Sequence, residues 1–157
     1  MRAYLGRRYR LSASHRLHSD TFSEDENYTI YGKCNNPYGH GHNYVIEIVV
    51  GGEVDPVTGM VCDLVQLDTT VQKEILDRFD HMNLNTLDLF HTSVPTTENF
   101  CMEIHRLLQQ AITQAELISV RVEETAKNSF EYPVLPITPS DRRVEAPVEV
   151  RRKAGGA

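Results

Sequence analysis

Residues 32–50 read GKCNNPYGHGHNYVIEIVV, and they combine a thiol and two imidazoles with the start of a clear strand pattern. From residue 42 onward, apolar or aromatic side chains alternate with others, which is the period of a half-buried strand. One parity comprises His42, Tyr44, Ile46, Ile48 and Val50. If the strand reaches back to His40, both imidazoles project from the apolar face about 7 Å apart at their bases. The pair can therefore converge on one metal ion.

A third imidazole lies upstream, in a predicted strand that ends near residue 17. His15 shares a parity with Tyr9, Leu11, Ala13 and Leu17, so it lies on the less polar face. Three neutral imidazoles without a thiolate or carboxylate at matching spacing describe a zinc (Zn²⁺) site with one position left for water or substrate. The alternative is that all three are ordinary, partly buried histidines.

The rest of the chain predicts two helices and two more strands. Strands are expected at residues 2–17, 42–52, 118–124 and 129–132, and a surface loop at residues 19–27. The first helix begins at Asp63, with Gln66 completing a capping box, and runs to about residue 79. Thr96 or Thr97 caps the second helix. From Pro133 onward, prolines among charged residues predict an extended or disordered tail, so the folded domain is residues 1–132 and the tail 133–157.

Composition narrows the class of protein. A length of 157 residues fits one domain, and a net charge of -6 argues against a nucleic-acid surface. No apolar run approaches a membrane span and residues 1–8 lack the apolar core of a signal peptide, so we expect a cytoplasmic protein without a membrane partner. The three cysteines, Cys34, Cys62 and Cys101, form no Cys-x-x-Cys pair, which leaves Cys34 free to react.

Several strings between residues 8 and 132 resemble the 6-pyruvoyl-tetrahydropterin synthase family, in that family's order. They are SASHR (12–16), GKCNNP (32–37), GHGHNY (39–44), EVDPVTGM (53–60), DHMNL (80–84), TTEN (96–99) and ET (124–125). The resemblance implies an α+β T-fold of order ββααββ, a four-stranded antiparallel sheet with two helices on one face. It further implies trimeric barrels that stack into a homohexamer.

The resemblance also implies roles for individual residues. Cys34, Asp80 and His81 are similar to the family's catalytic triad, and residues Thr96, Thr97 and Glu98 to its substrate pocket. Glu124 resembles the residue that holds the pterin ring. From the residues alone, a carboxylate at the end of an apolar strand face either anchors a ligand or pairs internally with an arginine.

The implied activity is zinc-dependent conversion of 7,8-dihydroneopterin triphosphate to 6-pyruvoyl-5,6,7,8-tetrahydropterin in tetrahydrobiopterin biosynthesis, a carbon-oxygen lyase reaction. One alternative is 6-carboxytetrahydropterin synthase or a related pterin side-chain lyase. In the carboxy family three residues typically separate the cysteine from His-Gly-His, whereas residues 35–39 intervene here, which favours the pyruvoyl enzyme. A second alternative is a non-catalytic zinc-binding interaction domain in which Cys34 is the fourth ligand.

Overall fold

A computed structural model of the protein describes residues 1–134, so the predicted tail lies outside the described residues from residue 135 onward. Within residues 1–134 there are five strands and four α-helices. The strands are β1 (Arg2–His15), β2 (His40–Glu53), β3 (Met82–Asn83), β4 (Glu116–Thr125) and β5 (Asn128–Tyr132). The helices are α1 (Glu24–Tyr31), α2 (Leu64–Val71), α3 (Asp77–Phe79) and α4 (Thr97–Ala111). The α+β class is confirmed.

The strands form one sheet in the order β3-β1-β2-β4-β5. All neighbours are antiparallel except β1 and β3, which are parallel. The prediction of a four-stranded sheet was wrong because the described residues include a fifth strand, the two-residue β3, which pairs with β1 at Ala13 and Ser14. So short a strand has no alternation of its own by which to recognise it.

The pairing of β1 with β2 brings the two histidine-bearing strands together. Its register runs from Arg2 opposite Glu53 to His15 opposite His40. Along β2 the predicted apolar parity is buried, and Tyr44, Ile46, Ile48 and Val50 have no exposed surface. Because this parity also carries His42, the imidazoles lie at the end of the hydrophobic core.

One face of the sheet is covered by a helical layer of α2, a π-helical turn (Gln72–Leu76), α3 and α4. The Asp63 carboxylate caps α2 by accepting from the backbone N–H groups of Val65 and Gln66. The fully buried positions of this run, Leu67, Val71, Ile75 and Phe79, are each four residues apart. This spacing exceeds the α-helical period of 3.6, and the wider π turn keeps all four facing the sheet. No helix in residues 1–134 is long and apolar enough to cross a membrane.

Helix α1 replaces part of the loop expected at residues 19–27, so the element order ββααββ was also wrong. Ser23 and Glu26 form a capping box: the Ser23 hydroxyl accepts from the Glu26 N–H, and the Glu26 carboxylate accepts from the Ser23 N–H at 2.8 Å. The helix was missed because it is short and largely exposed, and therefore has no apolar stripe. The Ser-x-x-Glu spacing was the available signal.

Candidate metal centre and its surroundings

Three imidazoles converge where β1 and β2 meet. His15, His40 and His42 each offer one ligand atom, and these atoms lie within 4.8 Å of one another. The Nε2 atoms of His15 and His40 are 3.1 Å apart. Gly39 enters β2 at φ +71°, and a Cβ there would lie 3.0 Å from the His15 carbonyl oxygen. Only glycine allows this close approach, so Gly39 permits the register that brings the imidazoles together.

The orientation of His15 is set by a backbone group from another part of the chain. The side chain is 1% exposed, and its Nδ1 donates to the carbonyl oxygen of Pro95 at 2.7 Å. Because a carbonyl oxygen only accepts, the proton sits on Nδ1 and the lone pair of Nε2 faces His40 and His42. This is the usual arrangement of a histidine whose other nitrogen binds a metal.

The electrostatics of the cluster favour neutral imidazoles. Burial lowers the pKa of both His15 and His40, and the neighbouring imidazoles lower it further. His40 Nδ1 and His42 Nε2 are buried without a hydrogen-bond partner in residues 1–134. Such atoms are costly unless they are paired, and a metal ion at His42 Nε2 would relieve that cost. The three histidines therefore fit a metal ion that prefers nitrogen donors.

Glu124 lies at the end of β4, against the same cluster. Its Oε1 is 3.7 Å from His15 Nε2 and 3.6 Å from His42 Nε2, and it accepts from the Thr97 hydroxyl at 2.7 Å. Its Oε2 accepts from the Asn128 amide at 2.7 Å. Burial raises the pKa of Glu124, but the hydrogen bonds outweigh burial and the pKa lies below its ordinary value. Within residues 1–134 no arginine pairs with Glu124, which removes the arginine alternative there.

Of the residues predicted to line the substrate pocket at the start of α4, Thr97 bonds this carboxylate directly. Thr96 caps α4, and its hydroxyl accepts from the Asn99 N–H at 3.3 Å. Thr97 is buried and donates to Glu124, whereas the side chain of Glu98 is exposed. Sequence reasoning missed Asn128, which reaches Glu124 because β4 turns back into β5 immediately after Thr125.

Cys34 lies in a 3-10 turn (Gly32–Asn35), beside the segment that follows His15. It is a partly buried free thiol, and its carbonyl oxygen accepts from the Leu17 N–H at 2.9 Å. This bond holds the turn that carries Cys34 against Leu17, which is two positions after His15 in the sequence.

Asp80 and His81 lie at the edge of β1 that faces away from β2, on the side where β3 pairs. Asp80 Oδ1 accepts from the Ser12 N–H at 2.8 Å, a bond that lowers the pKa of Asp80. Asp80 Oδ2 lies 3.1 Å from His81 Nδ1. His81 has a φ of +61°, and this departure from regular backbone lets adjacent side chains meet. The His81 side chain is 82% exposed, and within residues 1–134 no hydrogen bond joins it or Asp80 to Cys34.

Comparison with known proteins places these features in a family. The family profile described as 6-pyruvoyl tetrahydropterin synthase matches residues 4–134. The 6-pyruvoyl tetrahydrobiopterin synthases of Poecilia reticulata and Homo sapiens are both 44% identical. They cover 82% and 83% of this chain and 88% and 90% of their own lengths. The solved structure of Caenorhabditis elegans 6-pyruvoyl tetrahydropterin synthase superposes with a TM-score of 0.81 at 42% identity, covering 84% of this chain and 95% of that one.

Proposed function

The chain belongs to the 6-pyruvoyl tetrahydropterin synthase family, and we propose that it converts 7,8-dihydroneopterin triphosphate to 6-pyruvoyl-5,6,7,8-tetrahydropterin with elimination of triphosphate. This makes it a carbon-oxygen lyase of tetrahydrobiopterin biosynthesis. The observation that carries the proposal is the convergence of three imidazoles beside a hydrogen-bonded carboxylate in a chain of this family. The reaction needs proton transfers at carbon and no external redox cofactor.

We propose zinc as the metal, held by His15, His40 and His42. Neutral imidazoles suit zinc, and three protein ligands are typical of catalytic rather than structural zinc. Bound there, zinc would supply a Lewis acid that polarises the substrate's side-chain oxygens and stabilises the negative charge that develops beside them. The ligand group found within residues 1–134 does not include Cys34, which weighs against the interaction-domain alternative with its fourth protein ligand.

Glu124 suits the recognition of a pterin ring. A carboxylate has about four lone-pair sites, and Thr97 and Asn128 occupy one on each oxygen. The remaining sites can accept from the amino group and a ring N–H of the pterin as a bidentate pair. Because the pKa of Glu124 is lowered, the side chain stays ionised and acts only as an acceptor. Thr96 and Glu98 are proposed to complete this pocket.

Cys34 is proposed as the general base that removes protons from the substrate's side chain. The Asp80–His81 pair would exchange protons with it: the ionised carboxylate orients His81 through Nδ1 and leaves proton transfer to Nε2. Because His81 is exposed and does not bond Cys34 within its own chain, we propose that it acts at Cys34 of a neighbouring subunit.

The sheet supports such an assembly. Within residues 1–134, β3 covers the outer edge of β1 only at Ala13 and Ser14, so most of that edge has no strand partner. An uncovered edge readily pairs with another chain. Edge-to-edge joining into trimeric barrels, stacked as a hexamer in the cytoplasm, is the proposed arrangement.

The test is to incubate zinc-loaded protein with 7,8-dihydroneopterin triphosphate and to identify the products by mass spectrometry, with His42→Ala as the control. We expect pyruvoyl-tetrahydropterin and free triphosphate. A carboxypterin with acetaldehyde would show instead the activity of a 6-carboxytetrahydropterin synthase. No turnover by metal-loaded protein would favour the non-catalytic interaction domain.

A further inference from the structure

The outer edge of β1 is covered near His15 by an unusual mixture of side chains and backbone. The Asp80 carboxylate accepts from the Ser12 N–H, β3 pairs with Ala13 and Ser14, and the Asn85 side chain bonds Arg16. Only two residues of this covering segment have strand conformation. Two polar side chains, one at each end of β3, extend the covered edge from residue 12 to residue 16.

Asn85 makes a reciprocal pair with the backbone of Arg16. The Arg16 N–H donates to Asn85 Oδ1 at 2.7 Å, and Asn85 Nδ2 donates to the Arg16 carbonyl oxygen at 2.9 Å. A primary amide presents an acceptor and a donor side by side, so it binds a residue's N–H and C=O as a neighbouring strand does. An aspartate retains only the acceptor, and a leucine retains neither.

The opposite side of the same segment holds the turn that carries Cys34. The Leu17 N–H donates to the Cys34 carbonyl oxygen at 2.9 Å. Arg16 Nε donates to the Asn35 carbonyl oxygen at 3.1 Å, and His18 Nδ1 lies 2.9 Å from Asn35 Oδ1. Residues 16–18 thus stand between Asn85 and the Cys34 turn, and bond both.

We propose that Asn85 is a positioning residue for Cys34. It holds residues 16–18 in line with β1, and through the three bonds above that segment holds the 3-10 turn that carries Cys34. The role in catalysis rests on the proposed function, in which Cys34 is the base. Asn85 makes no hydrogen bond to Glu124 or Thr97 within the described residues, so its loss affects the step that uses Cys34 rather than the binding of the pterin ring.

The test compares Asn85→Leu, which loses both bonds, with Asn85→Asp, which keeps the acceptor for the Arg16 N–H. Gln72→Leu is the matched control, because Gln72 is an exposed amide whose side chain bonds Asp77 in the helical layer. Zinc content, kcat, KM and the rate of Cys34 alkylation by iodoacetamide across pH are measured for each. Cys62 and Cys101 are buried, and peptide mapping assigns the label.

We expect Asn85→Leu to keep stoichiometric zinc and its KM, to lose about 10²-fold in kcat, and to change the rate and pH profile of Cys34 alkylation. In kcat and in Cys34 alkylation, Asn85→Asp should lie between Asn85→Leu and the wild type. If Asn85→Leu does not fold, the aspartate variant alone tests the proposal. Wild-type kcat and alkylation in both variants would overturn the proposal, as would a loss of zinc that accounts for the loss of kcat. The alkylation profile is informative even if the protein turns over no pterin, so the two proposals fail separately.

Discussion

The two sets of polar residues at this site are built in opposite ways. The histidine cluster is finished within one chain: His15 is 1% exposed, its tautomer is set by Pro95, and its partners come from the neighbouring strand. The Asp80–His81 pair is oriented by Ser12, yet the His81 side chain is 82% exposed and makes no hydrogen bond to Cys34 within residues 1–134. Strand register brings the imidazoles of the first set together, whereas the second set stays largely exposed at the outer edge of β1.

The histidine cluster carries the largest expected effect. His42→Ala removes one of three ligands, so zinc should fall below one equivalent per chain and turnover should be lost. The measurement is metal analysis after gel filtration, with the exposed His91→Ala as the control. Full zinc content in His42→Ala would show that the cluster is not the metal site.

Cys34→Ala separates metal binding from proton transfer. Because Cys34 is not among the grouped ligands, the variant should retain zinc while kcat falls about 10²–10⁴-fold, as is typical for loss of a general base. Steady-state kinetics with metal analysis on the same sample checks this. Turnover near the wild-type value would eliminate the general-base role.

Mixing variants tests whether the exposed pair works on another chain. Cys34→Ala and His81→Ala should each be nearly inactive alone. If His81 serves a neighbour's Cys34, random equimolar mixing after dissociation leaves about one site in four with both native side chains. Activity should therefore recover to about a quarter of the wild-type value. No recovery in mixed oligomers, verified by native mass spectrometry, would assign both side chains to one chain.

Glu124→Gln probes the carboxylate that touches the histidine cluster. The amide loses the negative charge and one acceptor, so a bidentate pair with two ring donors becomes impossible. Loss of a charged hydrogen bond costs about 1.5–3 kcal/mol, which corresponds to roughly a 10- to 150-fold rise in KM. Glu116→Gln, at the exposed start of the same strand, is the control and should leave KM unchanged. An unchanged KM in Glu124→Gln would remove it from substrate binding.

The smallest effect concerns pH and the stability of the metal-free protein. Burial lowers the pKa of His15 and His40 below the ordinary 6.5, so near that pH the unfolded state binds more protons than the folded state. Their contribution to stability is therefore complete above about pH 6.5 and is lost as the pH falls toward the folded pKa values. Urea unfolding at pH 7.5 and 5.5 should show this decline. His40→Gln should reduce it, whereas His91→Gln should not.

Local patterns in the sequence were enough to predict the buried half of the molecule. The parity of residues 40–50, the position of His15 and the caps at Asp63 and Thr96 all depend on neighbours in the chain, and the structure confirms them. The place of Glu124 at the end of an apolar strand face followed from the same alternation. These features could be predicted because one buried face fixes the period of each strand.

The features that were missed depend on contacts between distant residues. Strand β3 lies between two side-chain contacts, from Asp80 to Ser12 of β1 and from Asn85 to Arg16 just after β1, and its own two residues carry no pattern. The Pro95 carbonyl contacts His15 and the Asn128 amide contacts Glu124 because the chain folds back to the site at both points. No spacing rule connects either residue to a histidine or a carboxylate elsewhere in the chain.

The ladder between β1 and β2 ends at His15 opposite His40, so residues 16–39 leave and rejoin the sheet between two of the proposed metal ligands. Insertions or deletions in residues 16–38 would alter how far Cys34 reaches, while the imidazoles stay where Gly39 and the register place them. The proposed metal site and the placement of the proposed base can therefore change independently in evolution. Shortening residues 35–38, which leaves Gly39 in place, is a direct way to move Cys34 without rebuilding the proposed metal centre.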